Sequence, residues 1–319
     1  MDLQGIFINK VGRLRSGWRF VLYVFALIAL SFLLATAVRV AFVVGRNFVS
    51  IPHASYFANV VFRFTELATA LLAGYFCARI LEGLPWRSLG LTLHKGWVRD
   101  LIIGSVIGTA ALALAVGIAA AGGGLRFSFI GTGLLFAAGK TLVAFGVLLL
   151  IAALAEEAMF RGYPLQTFTR AGLMWFGIVL TSLPFGIAHL WNPNVAAGIT
   201  FVNTVIAGVW LALAYLKTRS LWFPLGVHWG WNWALGWVFG LPISGLNVVS
   251  NTLLTGHDLG PAWLTGGTYG IEGGIAGTVA LVVSTLFIWR TRLVSPTPEL
   301  LKLTSEENPV TPSRVSVLS

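Results

Sequence analysis

Apolar residues run along this chain in long blocks, and the blocks are separated by short connections that carry most of the charge. A helix needs about 20 apolar residues to cross the hydrocarbon core of a bilayer. By that measure eight spans are predicted: Phe20–Val38, Phe57–Cys77, Leu101–Ala121, Thr141–Phe168, Met174–Leu190, Val195–Leu216, Trp222–Gly240 and Ile271–Trp289. A membrane barrel would show short alternating strands, so the spans are helices. The predicted fold is an all-α polytopic membrane protein, a bundle of about eight transmembrane helices. It forms one domain over residues 1–292, followed by a Pro- and Ser/Thr-rich tail, 293–319, expected to be a disordered cytoplasmic end.

Composition agrees with this reading. Of 319 residues 57% are hydrophobic and 10% charged, against about 25% charged in soluble domains. The net charge of +10 does not point to nucleic acid, because the basic residues lie between spans rather than in one patch. With the N-terminus inside, the inner connections hold Lys10, Arg13, Arg15, Arg19, Arg79, Arg87, Lys95, Arg99, Arg170, Lys217, Arg219, Arg290, Arg292, Lys302 and Arg314. The outer ones hold Arg39, Arg46, Arg126 and Lys140. Both termini are therefore expected in the cytoplasm, and the membrane is the plasma membrane if the host is a bacterium. The basic entry to the first span resembles a signal peptide, but its length favours a retained helix. The single cysteine, Cys77, allows no intrachain disulfide.

Polar groups within spans carry the functional signal, since a charge at mid-bilayer costs at least about 2.5–3.5 kcal/mol. In the fourth span Glu157 and Arg161 stand four apart, acid before base, the favourable order for an ion pair. Glu156 points elsewhere and has no partner in the local sequence. Such a carboxylate suits a general base, although either glutamate can instead bond a neighbouring helix. Phe185 and His189 end the fifth span. His228 and Asn232 share one face of the seventh, where both can donate to an oxyanion or simply pair with other helices. At about 1.5 Å per residue from the inner boundary, Glu156, His189, His228 and Asn232 lie ~21, ~22, ~16 and ~22 Å deep, in one layer. Pro164 weakens this arithmetic, because it can end the fourth helix near Gly162.

Taken together, Glu-Glu-x-x-x-Arg at 156–161, Phe-x-x-x-His at 185–189 and His-x-x-x-Asn at 228–232 resemble the three motifs of the type II CAAX prenyl endopeptidase family. This family is also named for CAAX proteases and bacteriocin-processing proteins. The resemblance covers about Ser88–Asn232, with a motif core of about 140–235. It implies an intramembrane endopeptidase with a polar aqueous cavity opening to the cytoplasm. Glu156 would activate water with His189 as its partner, and His228 and Asn232 would form the oxyanion hole. Glu157, Arg161 and Phe185 would brace the site. The implied partners are the lipid bilayer and a membrane-associated or prenylated peptide, with no nucleic acid. No His-Glu-x-x-His motif is present, so metal-free water activation is preferred. Zinc held by Glu156, His189 and His228 is the alternative.

Other readings stay open at this point. A non-catalytic scaffold or immunity-type protein of the same fold would tolerate loss of Glu156 or His189. A proton or solute pathway would also use intramembrane Glu, His and Arg, though no inverted repeat is visible. Trp229, Trp231, Trp233 and Trp237 either line a groove for an apolar substrate or pack helices. Arg63 and Glu66 read as a local ion pair, and His257 with Asp258 as a solvated outer loop.

Overall fold

The computed structural model describes residues 4–45, 54–129, 131, 135–195 and 198–305. Arg46 and Arg314, and the tail beyond Ser305, lie outside the described residues. The architecture is all-α and polytopic. The main helices are α1 (Ser16–Gly45), α2 (Ala54–Glu82), α3 (Trp97–Ala121), α4, α5 (Met174–Ala188), α6 (Ile199–Thr218), α7 (Trp222–Trp233) and α8 (Ile275–Arg290). Helix α4 runs from Leu135–Glu157 through a π-helical turn, Ala158–Gly162, into Tyr163–Arg170. Six of these helices, α1 to α6, are long and apolar enough to cross a membrane. The last two expected spans are shorter. Helix α7 has 12 residues and a 5-residue π extension, Ala234–Val238, and α8 has 16.

Pro164 does not end the fourth span. It falls in the first turn of Tyr163–Arg170, where a missing N–H has no intrahelical acceptor to lose. The π turn before it absorbs the change of register, so the helix continues to Arg170.

The centre of the bundle is the crossing of α3 with α7. A β-carbon on Gly104 would stand 2.3 Å from the Phe223 carbonyl oxygen, and one on Gly108 2.0 Å from that of Val227. Reciprocally, Gly226 and Gly230 meet the Leu101 and Ser105 carbonyls at 2.2 and 2.3 Å. Backbone touches backbone here, because small residues are what allow helices to approach closely in lipid. The Thr109 hydroxyl donates to the Gly230 carbonyl across the same contact, at 3.1 Å. This crossing turns His228 and Asn232 away from α3.

At the end of the bundle carrying the basic connections, Arg19, Glu82 and Arg170 form a buried ionic cluster. Arg170 donates from Nε and Nη2 to the two Glu82 oxygens at 3.0 and 2.7 Å, and Arg19 pairs with Glu82 as well. Arg19 and Arg170 were expected as loop charges; instead α2 reaches far enough to bring Glu82 between them. The segment expected to be unstructured also differs. Pro298–Ser305 forms a helix, α9, that buries Leu300 and Thr304, while Glu299 pairs with Arg87 at 3.2 Å. Its apolar residues at helical spacing find a surface to cover, which composition alone did not reveal.

At the opposite end, β1 (Leu125–Phe129) pairs antiparallel with β2 (Leu254–Asp258). His257 and Asp258 are therefore strand residues. The Asp258 carboxylate accepts from the Gly260 N–H at 3.0 Å and from the Thr265 hydroxyl at 2.9 Å.

Candidate functional site

Three helices bring the motif residues to one place. Glu156 and Glu157 are the last residues of the α-helical part of α4, directly before its π turn. Isolated π turns inside α-helices are frequent at functional sites. Arg161 lies in that turn and is fully buried with Glu157. The guanidinium donates to Glu157 Oε1 at 3.2 Å and to the Gly208 carbonyl on α6 at 3.1 Å. The expected local ion pair is thus present, and it reaches a second helix.

Glu157 also accepts from His228 Nδ1 at 2.9 Å. One carboxylate therefore joins α4 to α7. With Nδ1 committed to Glu157, His228 presents Nε2 to Glu156, whose Oε2 lies 3.7 Å away. That gap is too long for a direct hydrogen bond. Glu156 Oε2 is buried and has no hydrogen-bond partner in the protein, although the side chain as a whole is 28% exposed.

His189 follows the last residue of α5 and starts a single 3₁₀ turn, His189–Trp191. Its Nδ1 is 2.8 Å from the Phe185 carbonyl oxygen. A carbonyl only accepts, so Nδ1 carries the proton and Nε2 is left as an acceptor. Phe185 is the packing hub: its ring lies 4.6 Å from the His189 ring and 6.3 Å from that of His228. The edge of Phe160 and the Arg161 guanidinium, 4.5 Å above the ring, complete its surroundings.

All four candidates, Glu156, His189, His228 and Asn232, line one cavity of about 810 Å³. This is the size range of small-molecule and peptide pockets. Further polar groups face the same space that sequence spacing did not single out: Asn203, Tyr269 and Glu272. Glu272 accepts from Trp231 Nε1 at 3.0 Å and from the Ser244 hydroxyl at 3.1 Å. Burial, with Glu272 close by, pushes the Tyr269 phenol up to about 12, so it stays a neutral donor at any working pH. The Arg63–Glu66 pair, 2.8 Å apart, is local as expected but also sits on the cavity wall.

The tryptophans divide. Trp229, Trp233 and Trp237 stack in a row, and Trp229 and Trp237 donate to the Gly146 and Ala138 carbonyls of α4 at 2.9 Å each. They clamp α7 to α4. Trp231 alone among the four faces the cavity. As placed, no group of three His, Cys, Asp or Glu side chains among the described residues is set to hold a metal ion.

No curated protein matches the chain. Residues 137–234 match the family model described as Type II CAAX prenyl endopeptidase Rce1-like. The match runs from the first turn of α4 to the start of the π extension of α7, and Glu156, Glu157, Arg161, Phe185, His189, His228 and Asn232 all fall inside it. Over residues 137–234 this multi-pass membrane protein is therefore similar to the Rce1-like type II CAAX prenyl endopeptidase family.

Proposed function

We propose that the protein is an intramembrane endopeptidase that hydrolyses a peptide bond of a membrane-associated polypeptide with a water activated by Glu156. The observation that carries this reading is the buried, unpartnered Glu156 Oε2 facing a cavity it shares with His189, His228 and Asn232. A buried carboxylate oxygen without a donor takes a hydrogen bond from water, and a water so held is aligned for attack.

The chemistry then balances with the chain's own groups. Glu156 takes the water proton as the oxygen attacks the scissile carbonyl carbon, giving a tetrahedral oxyanion. His228, carrying a proton on Nε2 as well as on the Nδ1 that Glu157 holds, and Asn232, one helical turn apart, supply its donors. Glu157, accepting at His228 Nδ1, fixes the imidazole so that Nε2 meets the reacting atoms. The C–N bond breaks as the proton passes from Glu156 to the leaving amine, relayed by His189 Nε2. No step is routed through a metal. Prenylated CAAX-type peptides are the substrate class that the family suggests.

The test is cleavage of a quenched fluorescent prenylated peptide and of unprenylated membrane-anchored peptides by purified protein, with products identified by mass. Glu156→Gln and His189→Ala should each lose at least about 10²-fold in turnover while keeping the thermal midpoint. Chelator should leave the wild type unchanged. Turnover undiminished in Glu156→Gln would overturn the role of that carboxylate, and turnover restored only by added zinc would overturn the metal-free route.

A further inference from the structure

We infer that the cavity admits its substrate from the face of the membrane opposite the basic connections, the non-cytoplasmic face, so that the substrate is the externally exposed part of a membrane-anchored or exported polypeptide. This rests on the endopeptidase reading for what happens in the cavity, but the side of entry rests on the cavity's geometry and the distribution of basic connections.

On α2, α5 and α6 the lining residues lie toward the same end of the bundle, and α4 and α7 line the cavity near their middles, at 145–160 and 228–232. Helix α2 contributes from Tyr56 to Glu66, within its first half, and α5 only its last turn, from Phe185. Helix α6 contributes from Asn203 to Leu211, leaving its Lys217 end clear. Besides the helices, the lining comes from the connections after α5 and between α7 and α8, among them Asn192, Ser244, Val248 and Glu272. Those connections lie at the end that carries few basic residues. None of the connections at the basic end, 83–96, 171–173 and 219–221, reaches the cavity.

The basic end is also closed by packing. All eight residues of Tyr163–Arg170 are buried, so this part of α4 is covered on every side. Beneath the Glu157–Arg161 pair lies this sleeve, and beneath that the Arg19–Glu82–Arg170 cluster. Arg87 with Glu299, and Arg99 with the Leu293 carbonyl, hold the basic connections and α9 together over the same end. A hydrated peptide has no route through these layers. The mouth, in contrast, offers Asn59, Asn192 and Ser244, groups that replace the water lost by an entering backbone. Because cytoplasmic connections are the basic ones, the mouth faces outward. The cytoplasmic opening implied by the family resemblance is thus not the one this cavity has.

The test uses the full chain with Cys77→Ala, which removes its only cysteine. Val248→Cys and Asn192→Cys mark the mouth, and Lys95→Cys marks the basic end. In intact cells a membrane-impermeant maleimide should label the first two at least about tenfold faster than the third, with Lys95→Cys labelled only after permeabilisation. The reverse pattern overturns the inference. Sealed vesicles of each orientation then receive an impermeant quenched peptide tethered to the outer leaflet. Cleavage by right-side-out vesicles alone supports the substrate class, and cleavage by inverted vesicles alone overturns it. Mouth labelling from outside with no cleavage in either orientation supports the entry side and overturns the endopeptidase reading, so the two fail separately.

Discussion

Adding one methyl group at Gly108 should damage the site without touching it. The new β-carbon would lie 2.0 Å from the Val227 carbonyl oxygen, a backbone atom that cannot rotate away. Restoring normal contact requires α3 and α7 to part by about 1 Å at this level, which forfeits up to half of the dispersion contacts along the crossing. Val227 precedes His228, so the displacement passes straight to the imidazole. Because His228 faces away from α3, the shift drives the imidazole about 1 Å against Glu157, and their 2.9 Å bond cannot keep its hydrogen-bonding geometry. A bond to a charged group contributes about 1.5–3 kcal/mol, and a 1 Å misplacement costs on the order of 10²-fold in rate. Gly108→Ala should therefore lower the thermal midpoint in detergent by several degrees and turnover by about 10²-fold. Gly117→Ala is the control, since a β-carbon there meets nothing within 4 Å on the same helix. Should Gly108→Ala match Gly117→Ala in both measurements, the backbone-to-backbone crossing and its hold on His228 are refuted.

Three further outcomes are expected. Glu157→Ala leaves Arg161 fully buried without its carboxylate, so it should lose about 3–5 kcal/mol of stability; a thermal midpoint equal to that of Glu156→Gln would contradict the bracing role. Glu82→Leu should destabilise strongly, because two buried arginines lose their shared anion. Replacing all three members, Arg19→Met with Glu82→Leu and Arg170→Met, should recover most of that loss, as apolar replacements of buried ion clusters do; thermal unfolding of both variants is the check. Leu300→Asp, in contrast, should release α9 and raise the proteolysis rate between Leu293 and Ser305, with little change in turnover, since α9 is remote from the cavity.

What the sequence disclosed and what it withheld divide along the range of the interactions. Long apolar blocks give away the spans, because each is a local pattern. The shared layer of Glu156, His189, His228 and Asn232 follows from counting residues along helices, and the structure puts all four on one cavity wall. Glu82 gave no such signal. Its partners are 63 and 88 residues away, and at the end of an apolar run it reads as an ordinary boundary charge. Glu272 was hidden for the same reason, with Trp231 as its partner 41 residues away. Spacing also could not tell that His228 turns Nδ1 to Glu157 rather than leaving both nitrogens to a substrate. That choice depends on the crossing with α3, which sets the rotation of α7.

The bridge from Glu157 to His228 also bears on how such a chain is made. The two residues are 71 positions apart, so α4 enters the membrane well before α7 is synthesised. During that interval Glu157 and Arg161 neutralise each other within one helix, while Glu156 faces lipid or translocation machinery with neither His228 nor Asn232 in place. On the endopeptidase reading, a nascent chain that ends before the seventh helix holds Glu156 without the His228 and Asn232 donors, so the site is assembled only when that helix docks.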